Sequence, residues 1–253
     1  MIPLLIAGAT AAAGTFAGFH AFLPMSQLYG ATFIGTPGHG KKLALTFDDG
    51  PNPTCTPALL DVLARNNVRA TFFMIGKFVQ LQPALARRVH DAGHDVANHT
   101  FSHPNLALSP AQKVRQELAD CEAALRDAGV ANKFGLFRVP FGARRPVTLR
   151  IARELGLTPI QWSVTAFDWN APAAGRIEHS VEKRLRGGDV ILLHDGGHLA
   201  LNADRMHTVN AVASMVPKLI DRGYEFVTVG DWIRDSTKAS DASSGSPSRP
   251  DTP

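Results

Sequence analysis

From Lys42 onward, short apolar runs alternate with longer helical segments. The apolar runs predict strands near 42–47, 69–74, 94–97, 135–138, 158–163, 189–193 and 225–229. Between them the pattern predicts helices over 56–66, 78–92, 110–128, 146–155, 176–186 and 205–222. Gly93, Gly129, Gly156, Gly187 and Gly223 each close one of these helices, where a left-handed C-terminal cap favours a residue without Cβ. Ser109 ahead of Pro110 offers an N-cap with proline at the first helical position. Strands and helices in strict alternation imply parallel βα units, hence an α/β fold that is either an open doubly wound sheet or an incomplete barrel. Both arrangements put their chemistry at the carboxyl ends of the strands.

The flanks read differently. Ile2 to Leu23 is almost wholly apolar, and no charged side chain precedes Lys41. That run is long enough to cross a bilayer as a helix. A cleaved signal peptide is the alternative, with Ala11-Ala12-Ala13 as its small-residue site, but no Lys or Arg precedes the apolar run. The expectation is a retained N-terminal hydrophobic helix that anchors an extracytoplasmic domain in the membrane. Gly14 and Gly18 form a GxxxG pair on it. The chain thus divides into an anchor or signal segment (1–24), a Gly- and Pro-bearing linker (25–41), a catalytic domain (42–235) and a disordered tail rich in Ser and Pro (236–253).

Composition narrows the picture. A chain of 253 residues that is 45% hydrophobic can bury one sizeable core. The net charge of +4 is spread without a Lys/Arg-rich run, so no nucleic-acid partner is expected. Cys55 and Cys121 are too few for a cysteine-built zinc module and are expected as free thiols.

The polar residues gather where predicted strands end. The first strand closes on Asp48-Asp49-Gly50-Pro51, two adjacent carboxylates that are costly together unless something positive sits beside them. The third leads to His99 and His103, four apart, a spacing that puts two imidazoles on one side of a helical turn. His90 and His94 share the spacing but fall at a helix end and a strand start. With Asp48-Asp49, the pair His99/His103 makes most of a His-His-carboxylate metal site with a position left for water. The fourth, fifth and sixth strands lead to Arg138-Val139-Pro140-Phe141, Asp168-Trp169 and Leu192-Leu193-His194.

Taken in order, Thr46-Phe47-Asp48-Asp49-Gly50, His99-Thr100-Phe101-Ser102-His103, Arg138-Val139-Pro140-Phe141, Asp168-Trp169 and Leu192-Leu193-His194 resemble the five motifs of the polysaccharide deacetylases. These are the NodB-homology domains of the fourth carbohydrate esterase family, and the resemblance covers residues 42–230. It implies a distorted, incomplete (β/α) barrel of about seven parallel strands and a divalent metal, zinc first, with Co2+, Ni2+ or Mn2+ as substitutes. It also implies removal of acetyl groups from N-acetylated sugars of chitin- or peptidoglycan-like glycans, by metal-activated water. In that scheme Asp49, His99 and His103 are metal ligands, Asp48 is the general base and Arg138 holds it. The Phe141 backbone N–H stabilises the oxyanion, His194 is the acid and Asp168 orients it. Pro140 and Phe141 sit at the oxyanion site, and Trp169 and Leu192 wall the acetyl pocket. An O-acetyl esterase of xylan type and a silent glycan-binding domain are the alternatives.

The chain departs from the family pattern at three points. Thr165 stands where many relatives carry an acid, Phe141 stands where many carry Tyr, and Cys55 follows the first motif closely. At a helix start the Cys55 thiolate would be mildly favoured, though a structural role is the simpler expectation. His198 lies in a Gly196-Gly197 loop and is not expected to form a second metal pair with His194. His179 and His207 are expected at the surface and Arg144-Arg145 as a solvated pair, while Phe72-Phe73 reads as core.

Overall fold

A computed structural model describes residues 18–244. Among the described residues eight strands form one sheet: β1 (Lys42–Gly50), β2 (Thr71–Met74), β3 (Asp95–Asn98), β4 (Leu136–Phe137), β5 (Thr158–Pro159), β6 (Val164–Thr165), β7 (Asp189–His194) and β8 (Glu225–Phe226). The order is β5-β4-β3-β2-β1-β7-β6, all neighbours are parallel, and β8 pairs with the first two residues of β1. Among the described residues no ladder joins β5 to β6, so the sheet curls into a half-barrel left open on one side.

β1 shows why the strands read as apolar throughout. Leu43, Leu45 and Phe47 pack outward with Phe72, Met74, Ile191 and Leu193 under the helices. Ala44 faces the other way, into a cluster with Phe73, Ala97, Val190 and Trp232. A parallel strand covered on both faces has little room for polar residues. Thr46, on the Ala44 face, meets this constraint by donating to the Ile191 carbonyl at 2.7 Å.

All seven predicted strands are present, and the five glycines proposed as helix caps have φ between 71° and 82°. Three differences alter the elements themselves. The run 158–163 contains only β5, and a separate two-residue strand, β6, follows it. The helix expected over 78–92 is two, Gly76–Leu81 and Pro83–Asp91, because Gln82 leaves helical geometry (φ −133°, ψ 51°) ahead of a proline that has no N–H to donate. Pro110, with extended backbone, is itself the cap of the helix Ala111–Asp127, so that helix starts one residue later than Ser109-Pro110 suggested.

The flanks pack closely where they are described. In the stretch read as a linker, Phe33 pairs with Ile160 and Gly35 with Asp189, and Thr36 donates to the Gly188 carbonyl at 2.8 Å. The helix Val229–Ser244 continues into the stretch expected as a tail. Most of the expected membrane helix, residues 1–17, lies outside the described residues, and no described helix is long and apolar enough to cross a membrane.

Candidate metal centre and active site

Two neighbouring residues of a regular strand point to opposite faces, so adjacent aspartates would not ordinarily share a site. β1 avoids this with a bulge. Its register against β2 shifts between Asp48 and Gly50, and Asp49 takes a left-handed φ of 72°. Both carboxylates then reach one cavity at the carboxyl end of the sheet.

Their partners differ. Asp48 Oδ1 accepts from Arg138 Nη1 at 2.7 Å. Arg138 is fully buried, gives a second bond from Nη1 to Thr46 Oγ1 at 2.8 Å, and lies 4.1 Å over the ring of Phe73. Asp49 instead faces imidazoles. Its Oδ1 is 3.5 Å from His99 Nε2 and 3.2 Å from His103 Nε2. Burial pushes the Asp49 pKa up, but the imidazoles around it, His198 and His99 first and then His103 and His194, outweigh it and hold it well below the usual carboxylate value.

His99 and His103 converge without a helical turn. Residues 99–104 are irregular, and both Thr100 (φ 66°) and His103 (φ 62°) are left-handed. Such backbone is rare for a β-branched residue and persists only where its surroundings fix it. Here Asn98 Oδ1 accepts from the Thr100 N–H at 2.8 Å, and Thr100 Oγ1 from the His103 N–H at 3.0 Å. Glu117, buried on the helix Ala111–Asp127, accepts from the Ser102 N–H at 2.7 Å and from its hydroxyl at 2.6 Å. Lys113 neutralises that glutamate at 2.7 Å.

This set fits a metal ion. Single ligand atoms of Asp49, His99 and His103 lie within 4.8 Å of one another, all three residues buried. Asp49 Oδ1 and His103 Nδ1 are buried without hydrogen-bond partners. The His99 Nδ1 bond to the Arg138 carbonyl at 2.9 Å leaves Nε2 with its lone pair toward the acids. Burial, with His99 beside it, pushes the His103 pKa down to about 3, so its ring is neutral as a ligand must be. One carboxylate oxygen and two imidazole nitrogens suit zinc and other first-row divalent ions.

Across the cavity stands His194 at the end of β7. Asp168 Oδ1 meets its Nδ1 at 2.8 Å, and Asp168 Oδ2 accepts from its backbone N–H at 2.7 Å. Burial works against the imidazolium, but the charge and hydrogen bond of Asp168 prevail and push the His194 pKa up to about 9. Thr165 carries no acid, yet His194 has its carboxylate, because Asp168 itself reaches the ring.

The cavity, about 630 Å³, is lined by Asp48, Asp49, His99, His103 and His194 together with Phe141, Trp169 and Leu192. Phe141 takes a left-handed φ of 58° within the turn Pro140–Gly142, its ring 4.6 Å from that of His103. Arg138, Pro140 and Asp168 are buried behind the wall and do not line it. Trp162, His198, Leu199 and Arg205 do line it, though the sequence singled out none of them for the pocket.

Two expectations about other residues are corrected. Arg144 is 1% exposed rather than solvated: its guanidinium donates to the carbonyls of Gly142 (3.0 Å), Leu23 (2.7 Å) and Ser26 (2.8 Å). His207 is partly buried, its Nε2 bonded to the Asp168 carbonyl at 2.8 Å. Burial raises the Cys55 pKa, against the thiolate suggested by its place at a helix start, and its sulfur accepts from the Arg205 N–H at 3.2 Å. Both cysteines are free and buried.

Residues 35–160 match the family profile described as Polysaccharide deacetylase. A chitooligosaccharide deacetylase of Bradyrhizobium sp. (strain ANU 289) is 41% identical over 191 residues, covering 73% of this chain and 87% of that protein. A peptidoglycan-N-acetylglucosamine deacetylase of Bacillus cereus is 38% identical over 200 residues, covering 78% and 91%. Among solved structures, a peptidoglycan N-acetylglucosamine deacetylase in complex with an N-oxidanyl-benzamide superposes with a TM-score of 0.71 at 34% identity, covering 78% of this chain and 90% of that one.

Proposed function

The chain belongs to the polysaccharide deacetylase family and is an enzyme of it, and we propose that it hydrolyses the acetamide of N-acetylglucosamine units in a chitin- or peptidoglycan-like glycan. The observation that carries this reading is the unequal treatment of two adjacent acids. Asp48 is gripped by a buried arginine, while Asp49 turns an unpartnered oxygen toward two imidazoles. One acid is thereby prepared to handle a proton and the other to hold an ion.

Asp49, His99 and His103 would hold the metal, zinc in the first instance. A divalent ion bound there supplies Lewis-acid polarisation of water and of the acetyl carbonyl. The remaining work falls to the chain. Asp48 takes the proton of the attacking water, and Arg138 keeps it aimed for that task. The N–H of Phe141, on the left-handed turn at the cavity wall, donates to the oxyanion of the tetrahedral intermediate. The C–N bond then breaks, and His194 gives its proton to the departing amine nitrogen. With Nδ1 held by Asp168, the proton to be delivered sits on Nε2. Trp169 and Leu192 enclose the acetyl methyl. We also place the enzyme outside the cytoplasm, anchored at a membrane by the apolar stretch at residues 2–23.

The test is acetate release by the full chain from N-acetylglucosamine oligomers, after chelator treatment and again with zinc restored. Release that follows the metal is the expected outcome. A folded, metal-loaded chain that releases acetate only from O-acetylated xylan would overturn the substrate. One that releases none from either would point to a glycan-binding domain.

A further inference from the structure

Between β7 and the helix Met206–Asp221, the chain folds back over the candidate metal ligands. Gly196 lies so close to β1 that a Cβ there would sit 2.1 Å from the Asp49 carbonyl oxygen. At Gly197 a Cβ would come within 2.7 Å of Ala203 Cβ. Arg205 Nε donates to the Gly196 carbonyl at 2.8 Å, and Lys77 Nζ to the His198 carbonyl at 3.1 Å. These contacts fix one side chain over the site. The His198 ring stacks on that of His103, with centroids 4.5 Å apart and planes 22° from parallel, and meets the edge of Phe141 at 5.3 Å. Its Nδ1 stands 3.8 Å from Asp49 Oδ2, the oxygen that turns away from His99 and His103. None of the five sequence motifs includes it.

A carboxylate can bind an ion through one oxygen or both, and an open catalytic site needs the first. We propose that His198 is a positioning residue for Asp49: by holding Oδ2 it leaves only Oδ1 for the metal and keeps a coordination position open. A shift of about 1 Å brings Nδ1 from ion-pair to hydrogen-bond distance. Stacking on His103 fixes the imidazole plane at the same time, so two of the three ligands are steadied from one loop. His198 touches none of the reacting atoms in this scheme. The proposal rests on Asp49, His99 and His103 being the metal ligands.

The test is metal affinity, measured by competition with a chromophoric chelator on the full chain for Zn2+ and Co2+. Wild type should bind one ion. His198→Ala should bind it about 10–100-fold more weakly, the usual cost of removing a partner of a ligand. Its Co2+ d–d absorption should weaken as Asp49 becomes bidentate and the coordination number rises. His198→Gln, which keeps a donor near Oδ2, should recover most of both. Equal thermal unfolding of the metal-free wild type and variants would set aside a general loosening of the fold. Unchanged affinity and an unchanged cobalt spectrum in His198→Ala, with wild type binding one ion, would overturn the role of His198 alone. A wild type that binds no ion would overturn the metal reading and this proposal with it.

Discussion

Asp168 grips His194 twice, accepting from its backbone N–H at 2.7 Å and meeting its imidazole Nδ1 at 2.8 Å. Thr208 adds a third donor to the same carboxylate at 2.9 Å. The arrangement fixes the ring's orientation, and the buried negative charge favours its protonated form.

A pH dependence follows. The His194 pKa is raised from 6.5 to about 9, so the imidazolium is favoured by the fold. Its contribution to stability is complete below pH 6.5 and is lost as pH rises through about 9. The same proton is the one delivered to the amine, so the alkaline limb of kcat/KM should report this group. A cation on Asp49 would draw the limb somewhat lower. Asp168→Asn removes the charge but keeps the size. Its alkaline limb should move down by more than about one unit, with kcat falling roughly 10²–10⁴-fold. A profile unmoved by Asp168→Asn would mean that another group supplies the proton.

Asp48→Asn separates base from ligand. The substituted amide could still accept from Arg138 but could not take a proton, and Asp49, His99 and His103 are left intact. Bound zinc, measured by elemental analysis after dialysis, should stay near one equivalent while kcat drops by roughly 10²–10⁴. Loss of zinc in this variant would instead make Asp48 a ligand. Arg138→Ala should behave differently. It leaves a buried carboxylate without its cation, and destabilisation of about 3–5 kcal/mol is expected in urea titrations.

Glu117 lies outside the cavity but fastens the turn that brings His99 and His103 together. Glu117→Ala frees the Ser102 N–H and hydroxyl and leaves two left-handed residues less firmly held. The metal should then stabilise the fold less. Added zinc raises the melting temperature in proportion to the logarithm of its concentration over its Kd. The zinc-induced rise in Tm should therefore be smaller in Glu117→Ala than in wild type at the same zinc concentration.

How far the sequence could be read depended on whether the determinant was local. β1 to β5, β7 and β8 announce themselves because each lies in a short apolar run between helical segments, and the rim residues follow directly from where those strands stop. β6 did not, since Val164-Thr165 follows directly on the run 158–163, which reads as a single strand. His99 and His103 were paired by a spacing that suggested a helix. They converge instead through left-handed residues, which nothing in the spacing encodes. Asp168 was a candidate despite Thr165, and only the 2.8 Å contact makes it the acid beside His194. His198 was hidden because Gly196-Gly197 reads as a loop, whereas both glycines are where the chain presses against Asp49 and Ala203. Arg144 was misread because charge usually means solvent.

Arg144 yields the last prediction. Its guanidinium ties residues 23–26 to the Gly142 carbonyl, and its own N–H donates to the Ala21 carbonyl at 3.1 Å. The stretch at the start of the predicted linker is thereby fastened to the turn that carries Phe141. In Arg144→Ala the carbonyls of Leu23, Ser26 and Gly142 lose a charged donor. Each buried acceptor left unpaired costs about 1–3 kcal/mol, and water entering the gap would recover part of that. A net loss of roughly 2–4 kcal/mol in urea unfolding is therefore expected. The turn should also relax, and a displaced oxyanion donor lowers kcat by up to about 10²–10³-fold. KM should change little, since Trp169 and Leu192 are untouched. A chain begun at residue 27 removes the Leu23 and Ser26 carbonyls from the other side and should show the same split between kcat and KM. If the shortened chain and Arg144→Ala lost stability but kept kcat, the clamp would serve the fold alone.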